Sequence, residues 1–244
     1  MILYNERRYR HHVSTGHLVS FNIKIKETDL LVRAESDLKD AVSEYVFKYR
    51  GYIETYLAHN AHFRSSLVPL PDDSFAPSII RDMLSASRVT GVGPMASVAG
   101  ALSQWVGNDL FKKSHTVIIE NGGDIFMRAG KDAIFHVAVF AGESPFSENI
   151  FLKIRGEDTP MGVCTSSGTV GGSLSFGKAD AVSVLSKSAT LADAAATALG
   201  NLIQTPSDIQ KAIDVGKNIQ GIEGIVIIVK DRMGMWGNVE LDEA

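Results

Sequence analysis

The chain has 244 residues, 45% of them hydrophobic and 21% charged, with a net charge of −4. That is long enough to bury one large core, and its acidic balance argues against a broad nucleic-acid surface, which needs basic residues against phosphates. One cysteine, Cys164, excludes an internal disulfide and suits a reducing compartment, so a cytoplasmic location is expected. The first 18 residues are polar and basic and do not read as a secretory signal. No apolar run approaches the roughly 18 residues of a membrane span, so no membrane partner is expected.

In chain order, the alternating runs LVSFNIKIK and DLLVRA predict two antiparallel strands joined around Glu27–Asp29. Leu38, Ala41, Val42, Tyr45, Val46 and Tyr49 at helical spacing predict a helix from Asp37 to about Ala58, interrupted near Gly51. Val68–Pro77 reads as a connection and sets off an N-terminal subdomain over 1–70 within one domain over 1–244. A short helix is predicted at Ile79–Ser85. Gly91–Pro94 then turns into a helix at Met95–Val106, with proline well placed at its start. Strands are predicted at His115–Glu120, Ile125–Arg128, Ala133–Phe140, Ile150–Ile154, Met161–Thr165, Ala181–Leu185 and Glu223–Lys230. An alanine-rich helix covers Thr190–Leu202, another covers Ser207–Val215, and Met233–Asn238 reads as a turn. Short links between neighbouring strands predict an α+β fold with mostly antiparallel strands and packed helices.

Several segments could carry chemistry. Asp193 and Thr197 lie four apart on one face of an alanine-coated helix, where an acid and a hydroxyl could hold a hard cation and, through it, phosphate. Thr190 with Asp193 equally fits a capping box. The turn Asn121, Gly122, Gly123, Asp124 can present N–H groups to an anion or a flat ring, or can be a plain hairpin turn. Thr165, Ser166, Ser167 and Gly168, with Gly171 and Gly172, form a hydroxyl-rich loop suited to phosphate oxygens, or a surface loop. Cys164 reads as a small buried hydrophobe or as a nucleophile needing a base. His59 and His62 lack the further ligands zinc requires; His11, His12 and His17 add a polar N-terminal group. Arg7, Arg8 and Arg10 read as a solvated arm, a subunit contact or a phosphate contact. No nucleophile elbow or dinucleotide glycine fingerprint is present.

The order strand–N-G-G-D–strand, then G-V-C-T-S-S-G at 162–168, then A-D-A-A-A-T-A at 192–198 resembles the ApbE-like superfamily. Its best-known members are Mg²⁺-dependent flavin transferases, once called thiamine-biosynthesis lipoproteins, which split FAD and attach FMN to threonine. The resemblance covers roughly residues 89–230, and the N-terminal part looks like the short branch of the superfamily. It implies an ApbE-like fold binding a flavin nucleotide or another phosphate-bearing small molecule. Mg²⁺ would lie on Asp193 and Thr197, and FAD or FMN near Asn121, Gly122, Gly123, Asp124, Thr165, Ser166, Ser167 and Gly168. The implied chemistry is that of an FMN transferase or an FAD hydrolase; no base or nucleophile is assigned.

Two departures stand out. Gly91–Gly100 lacks the lysine and tyrosine of the transferases' G-x-x-K-G-Y segment, and Ser175–Asp180 lacks their histidine and proline. Asp180 could instead supply a further carboxylate. The resemblance therefore leaves open a non-catalytic binding or accessory protein. It also leaves open a factor in the sulfur assimilation of anaerobes centred on Cys164. Small-residue helices and the basic arm suit a homo-oligomer.

Overall fold

A hairpin forms one edge of the larger of two sheets: β1 (Val19–Ile25) pairs antiparallel with β2 (Thr28–Ala34) across a Lys26–Glu27 turn. The structure, a computed structural model, describes residues 18–170 and 175–243. Beyond the hairpin, β3 (Val117–Asn121), β4 (Asp124–Arg128), β7 (Met161–Ser166), β8 (Ala181–Ser186), β9 (Ile222–Val229) and β10 (Arg232–Gly237) continue this sheet. Its order is β1-β2-β3-β4-β7-β8-β9-β10, with antiparallel pairing throughout. A second sheet has the order β11-β6-β5, built from β5 (Ile134–Ala138), β6 (Ile150–Arg155) and β11 (Glu240–Glu243). The expected α+β, mostly antiparallel architecture is what is observed.

The period of two along each strand sorts the cores. On β4, Phe126 joins a cluster with Cys164 and α5 (Ala189–Asn201), while Ile125 and Met127 join the cluster under the small sheet. The helices α1 (Lys39–His59), α2 (Ala61–Ser65), α3 (Ser78–Thr90), α4 (Val98–Leu110) and α6 (Ile209–Gly216) complete the helical side. Each fully buried Ile or Phe there stabilises by roughly 1.5–3 kcal/mol.

Three expectations need correction, and one strand was not foreseen. α1 runs unbroken through Gly51, because its buried stripe Val42, Val46, Tyr49 and Ile53 continues past it and outweighs the cost of one exposed glycine. α3 is longer than Ile79–Ser85: Met83, Leu84, Ala86 and Ser87 are buried, and the helix stops only where Gly91 takes φ 79° and donates to Ser87 O. The supposed turn at Met233–Asn238 is mostly strand, since Arg232–Gly237 pairs in register with β9. β11, not expected at all, pairs with β6.

The helical layer closes at small residues. A Cβ on Gly100 of α4 would strike the Ala189 carbonyl and the Asp193 Cβ, and one on Gly162 of β7 would strike Ala189. Backbone therefore fills the space that the alanine-coated face leaves, and α4, α5 and β7 meet within reach of a hydrogen bond.

Candidate functional site: two buried carboxylates under α4

Asp193 owes its position to the start of α5. The helix is capped by Ser188, whose Oγ accepts from Leu191 N at 3.3 Å. Thr190 is therefore already helical, and the expected Thr190–Asp193 capping box does not form. Asp193 reaches instead to the neighbouring helix α4. Ser97, at the N-cap of α4, spends its hydroxyl on Pro94 O, and Val98 N donates to Met95 O in the preceding 3-10 turn, so no side chain of the cap serves Gly100 N. Asp193 Oδ2 accepts from Gly100 N at 2.8 Å. Burial pushes its pKa up to about 7, even though hydrogen bonds from Gly100 and Ala99 pull the other way.

Asp124 opens β4 opposite Asn121. Burial and the negative charges of Asp193 and Glu120 raise its pKa well above the usual carboxylate range, against hydrogen bonds from the Thr165 backbone and Cys164. Its Oδ1 is sealed from solvent with no hydrogen-bond partner. Among the described residues neither acid has an ion-pair partner. Two buried carboxyl groups, both raised by burial and one raised further by the other's charge, are a costly arrangement.

The other sequence candidates divide. Asn121 Nδ2 donates to Ala99 O at 3.3 Å, which places it beside the acids. Gly122 and Gly123 take φ of 70° and 107°, Gly122 with open space around it, and Gly123 N donates to Glu120 Oε1 at 2.9 Å. Thr165 lies next to Asp124 through its backbone, while its hydroxyl pairs with Ser183 Oγ at 2.8 Å. Ser166 is half-buried facing Gly200. Ser167 turns inward on its own loop, accepting from Thr169 N and Val170 N, and Gly168 N donates to Ala179 O. Thr197 is half-buried one turn beyond Asp193. Asp180 is committed elsewhere: it accepts from Thr169 Oγ1 at 2.9 Å and from Lys230 N at 2.6 Å, tying its loop to the β9–β10 turn.

Cys164 is fully buried, and its thiol donates to Ala189 O at 3.4 Å. Burial first, then Asp124 and Asp193, push its pKa well up, the reverse of what a thiolate nucleophile needs. His59 is exposed on α1 with Nδ1 against Thr55 O, and His62 is exposed on α2. Arg7, Arg8, Arg10, His11, His12, His17, Gly171 and Gly172 lie outside the described residues. Sequence reasoning missed the N–H groups of Ala99 and Gly100. It also missed a cleft of about 610 Å³ beside them, lined in part by Ala99, Asn121, Arg50 and Arg64.

Among the described residues no three His, Cys, Asp or Glu side chains converge as a ready metal cage. Two buried carboxylates, one with an unpartnered oxygen, and a hydroxyl one turn away are nonetheless the hard oxygen donors that a divalent cation takes beside a ligand supplying further oxygens. The donor set fits such an ion. No described helix is long and apolar enough to cross a membrane.

The sequence family described as AbpE bacteria matches residues 10–241. A UPF0280 protein of Methanocaldococcus jannaschii is 40% identical over 224 residues, which is 89% of this chain and 90% of that protein. Another, from Methanosarcina acetivorans, is 37% identical over 221 residues, covering 89% and 86%. Among solved structures, the apo flavinyl transferase ApbE of Pseudomonas stutzeri superposes with a TM-score of 0.55 at 14% identity, covering 90% of this chain and 93% of that one. The flavin transferase ApbE of Vibrio cholerae gives 0.53 at 14%, covering 90% and 96%. At these identities the likeness to the solved structures is one of fold.

Proposed function

The chain belongs to the AbpE bacteria family, and from that premise we propose that it is a Mg²⁺-dependent flavin-nucleotide-binding protein of the flavin-transferase type. The observation that carries this reading is the unpartnered, buried Oδ1 of Asp124, on a carboxyl close enough to Asp193 to feel its charge. Asp193, Thr197 and Asp124 would hold the cation, which would neutralise charge on the bridging phosphates of the nucleotide. Gly100 N holds Asp193 in place, so its carboxylate need not reorganise when the ligand arrives. Asn121, Gly122 and Gly123 would orient the ligand from the β3–β4 turn, and Thr165, Ser166, Ser167 and Gly168 from the loop after β7. In a transfer, the bond from the FMN phosphorus to the oxygen bridging to AMP breaks. AMP leaves with the electron pair, and the acceptor oxygen bonds to phosphorus and gives up its proton.

Calorimetric titration of FAD into the metal-free protein, with and without Mg²⁺, tests the reading. Binding that requires Mg²⁺ is expected, and AMP appearing in the same mixture would mark a transferase or hydrolase rather than a binder. No binding under either condition would overturn the proposal.

A further inference from the structure

The cleft beside the acid pair is built mostly by parts of the chain outside the motifs above, with Asn121 of the Asn-Gly-Gly-Asp turn and the start of α4 at one side. It lies between the β1–β2 turn, α1, α2 and the start of α4. At about 610 Å³ it is of a size that takes a mononucleotide. Its floor is apolar, formed by Ile53, Leu57, Met95, Val98 and Leu102.

Its walls carry three cations against two carboxylates. Arg50 is largely buried and fixed on three sides: Nη1 donates to Thr28 Oγ1 at 2.5 Å, and Nη2 donates to Glu27 at 2.6 Å and Glu54 at 2.8 Å. Its Nε is buried with no partner. Lys26 pairs with Glu54 at 2.7 Å. Arg64 is exposed on α2 and has no ion pair among the described residues. The cleft and the acids share a wall. Ala99 and Asn121 line the cleft, while Gly100 N sits on Asp193 and Asn121 lies across from Asp124.

We propose that this cleft binds the ring-bearing, singly phosphorylated half of a nucleotide, with the ring on the apolar floor and the phosphate on the Arg64 guanidinium. A guanidinium forks onto phosphate oxygens, and Arg50 adds positive charge to the same cleft. This rests on the nucleotide reading above but not on its cation.

The test is calorimetry in EDTA with two matched pairs, FMN against riboflavin and AMP against adenosine, on the full chain and on Arg64→Ala. At least one phosphorylated member should bind about tenfold tighter than its dephosphorylated partner. Arg64→Ala should bring that ratio close to one without changing the melting temperature, since Arg64 is exposed and makes no hydrogen bond or ion pair among the described residues. The pair that discriminates identifies which mononucleotide the cleft takes. Equal binding within both pairs, no binding at all, or an unchanged ratio in Arg64→Ala would overturn the proposal. Failure of the cation reading shows separately, as FAD binding indifferent to Mg²⁺ and to Asp193→Asn while the Arg64 ratio persists.

Discussion

On the face of the large sheet covered by β5, β6 and β11, charge pairs at the surface. Arg155 forks onto Glu240 at 3.0 and 2.8 Å, and His136 Nε2 meets Asp242 at 2.8 Å, all between a third and a half exposed. On the face covered by α4 and α5, Asp193 and Asp124 are raised, buried and unmatched by any ion-pair partner among the described residues. Water screens the first set, and each such pair contributes little. Burial makes the second set expensive, and an expensive acid pair in an otherwise small-residue crossing is what a ligand site looks like.

Breaking the crossing should have the largest effect. Gly100→Ala gains about 1 kcal/mol of helix propensity but drives a Cβ into the Ala189 carbonyl. The net loss should be about 2–4 kcal/mol in urea unfolding, with the site lost as well. A variant as stable as the parent would show that α4 and α5 can part without cost.

The acids themselves should show through pH. The raised carboxyl of Asp193 means that the metal-free native state holds its proton more tightly than the unfolded chain does. The stability tied to it is fully present below about pH 4 and is lost as pH rises through about 7. Asp193→Asn removes that titration while its amide oxygen can still accept from Gly100 N. At pH 8 the metal-free variant should be more stable than the parent by about 2 kcal/mol, with a flatter profile from pH 4 to 8. Parallel profiles would contradict the shift. Cys164→Ala should cost about 1 kcal/mol for a small cavity and leave FAD binding unchanged; abolished binding would restore a direct role for the thiol. Smallest of all, Glu240→Ala on the other face should cost under about 1 kcal/mol and less still in high salt. A larger loss, read by the same urea titration, would erase the contrast between the faces.

Local pattern made much of this fold legible. The alternation of 18–34 fixes the first hairpin, and Asn-Gly-Gly-Asp fixes the β3–β4 turn. Where pattern misled, a distant partner decided. Gly234, Gly237 and Asn238 look like turn residues, yet the register with β9 makes most of that segment a strand. Glu240–Glu243 is short and acidic, and pairs through Lys153 and Arg155 of β6. Ser188 and Thr190 are both plausible caps, and the acid three residues after Thr190 mimics a capping box. The chain leaving β8 nevertheless starts the helix at Ser188 and frees Asp193 to cap α4, 93 residues earlier. Asp193 was visible as a candidate; its partners Gly100 and Asp124 as a unit were not, because nothing local links them.

Thermal unfolding of the metal-free protein and of Asp193→Asn at pH 8, each with and without Mg²⁺ alone, tests the central claim most directly. A cation drawn to the ionised acid pair should raise the melting temperature of the parent protein and leave that of Asp193→Asn unmoved. Equal shifts in both, or none in either, would contradict the assignment of the buried carboxylates as a cation site.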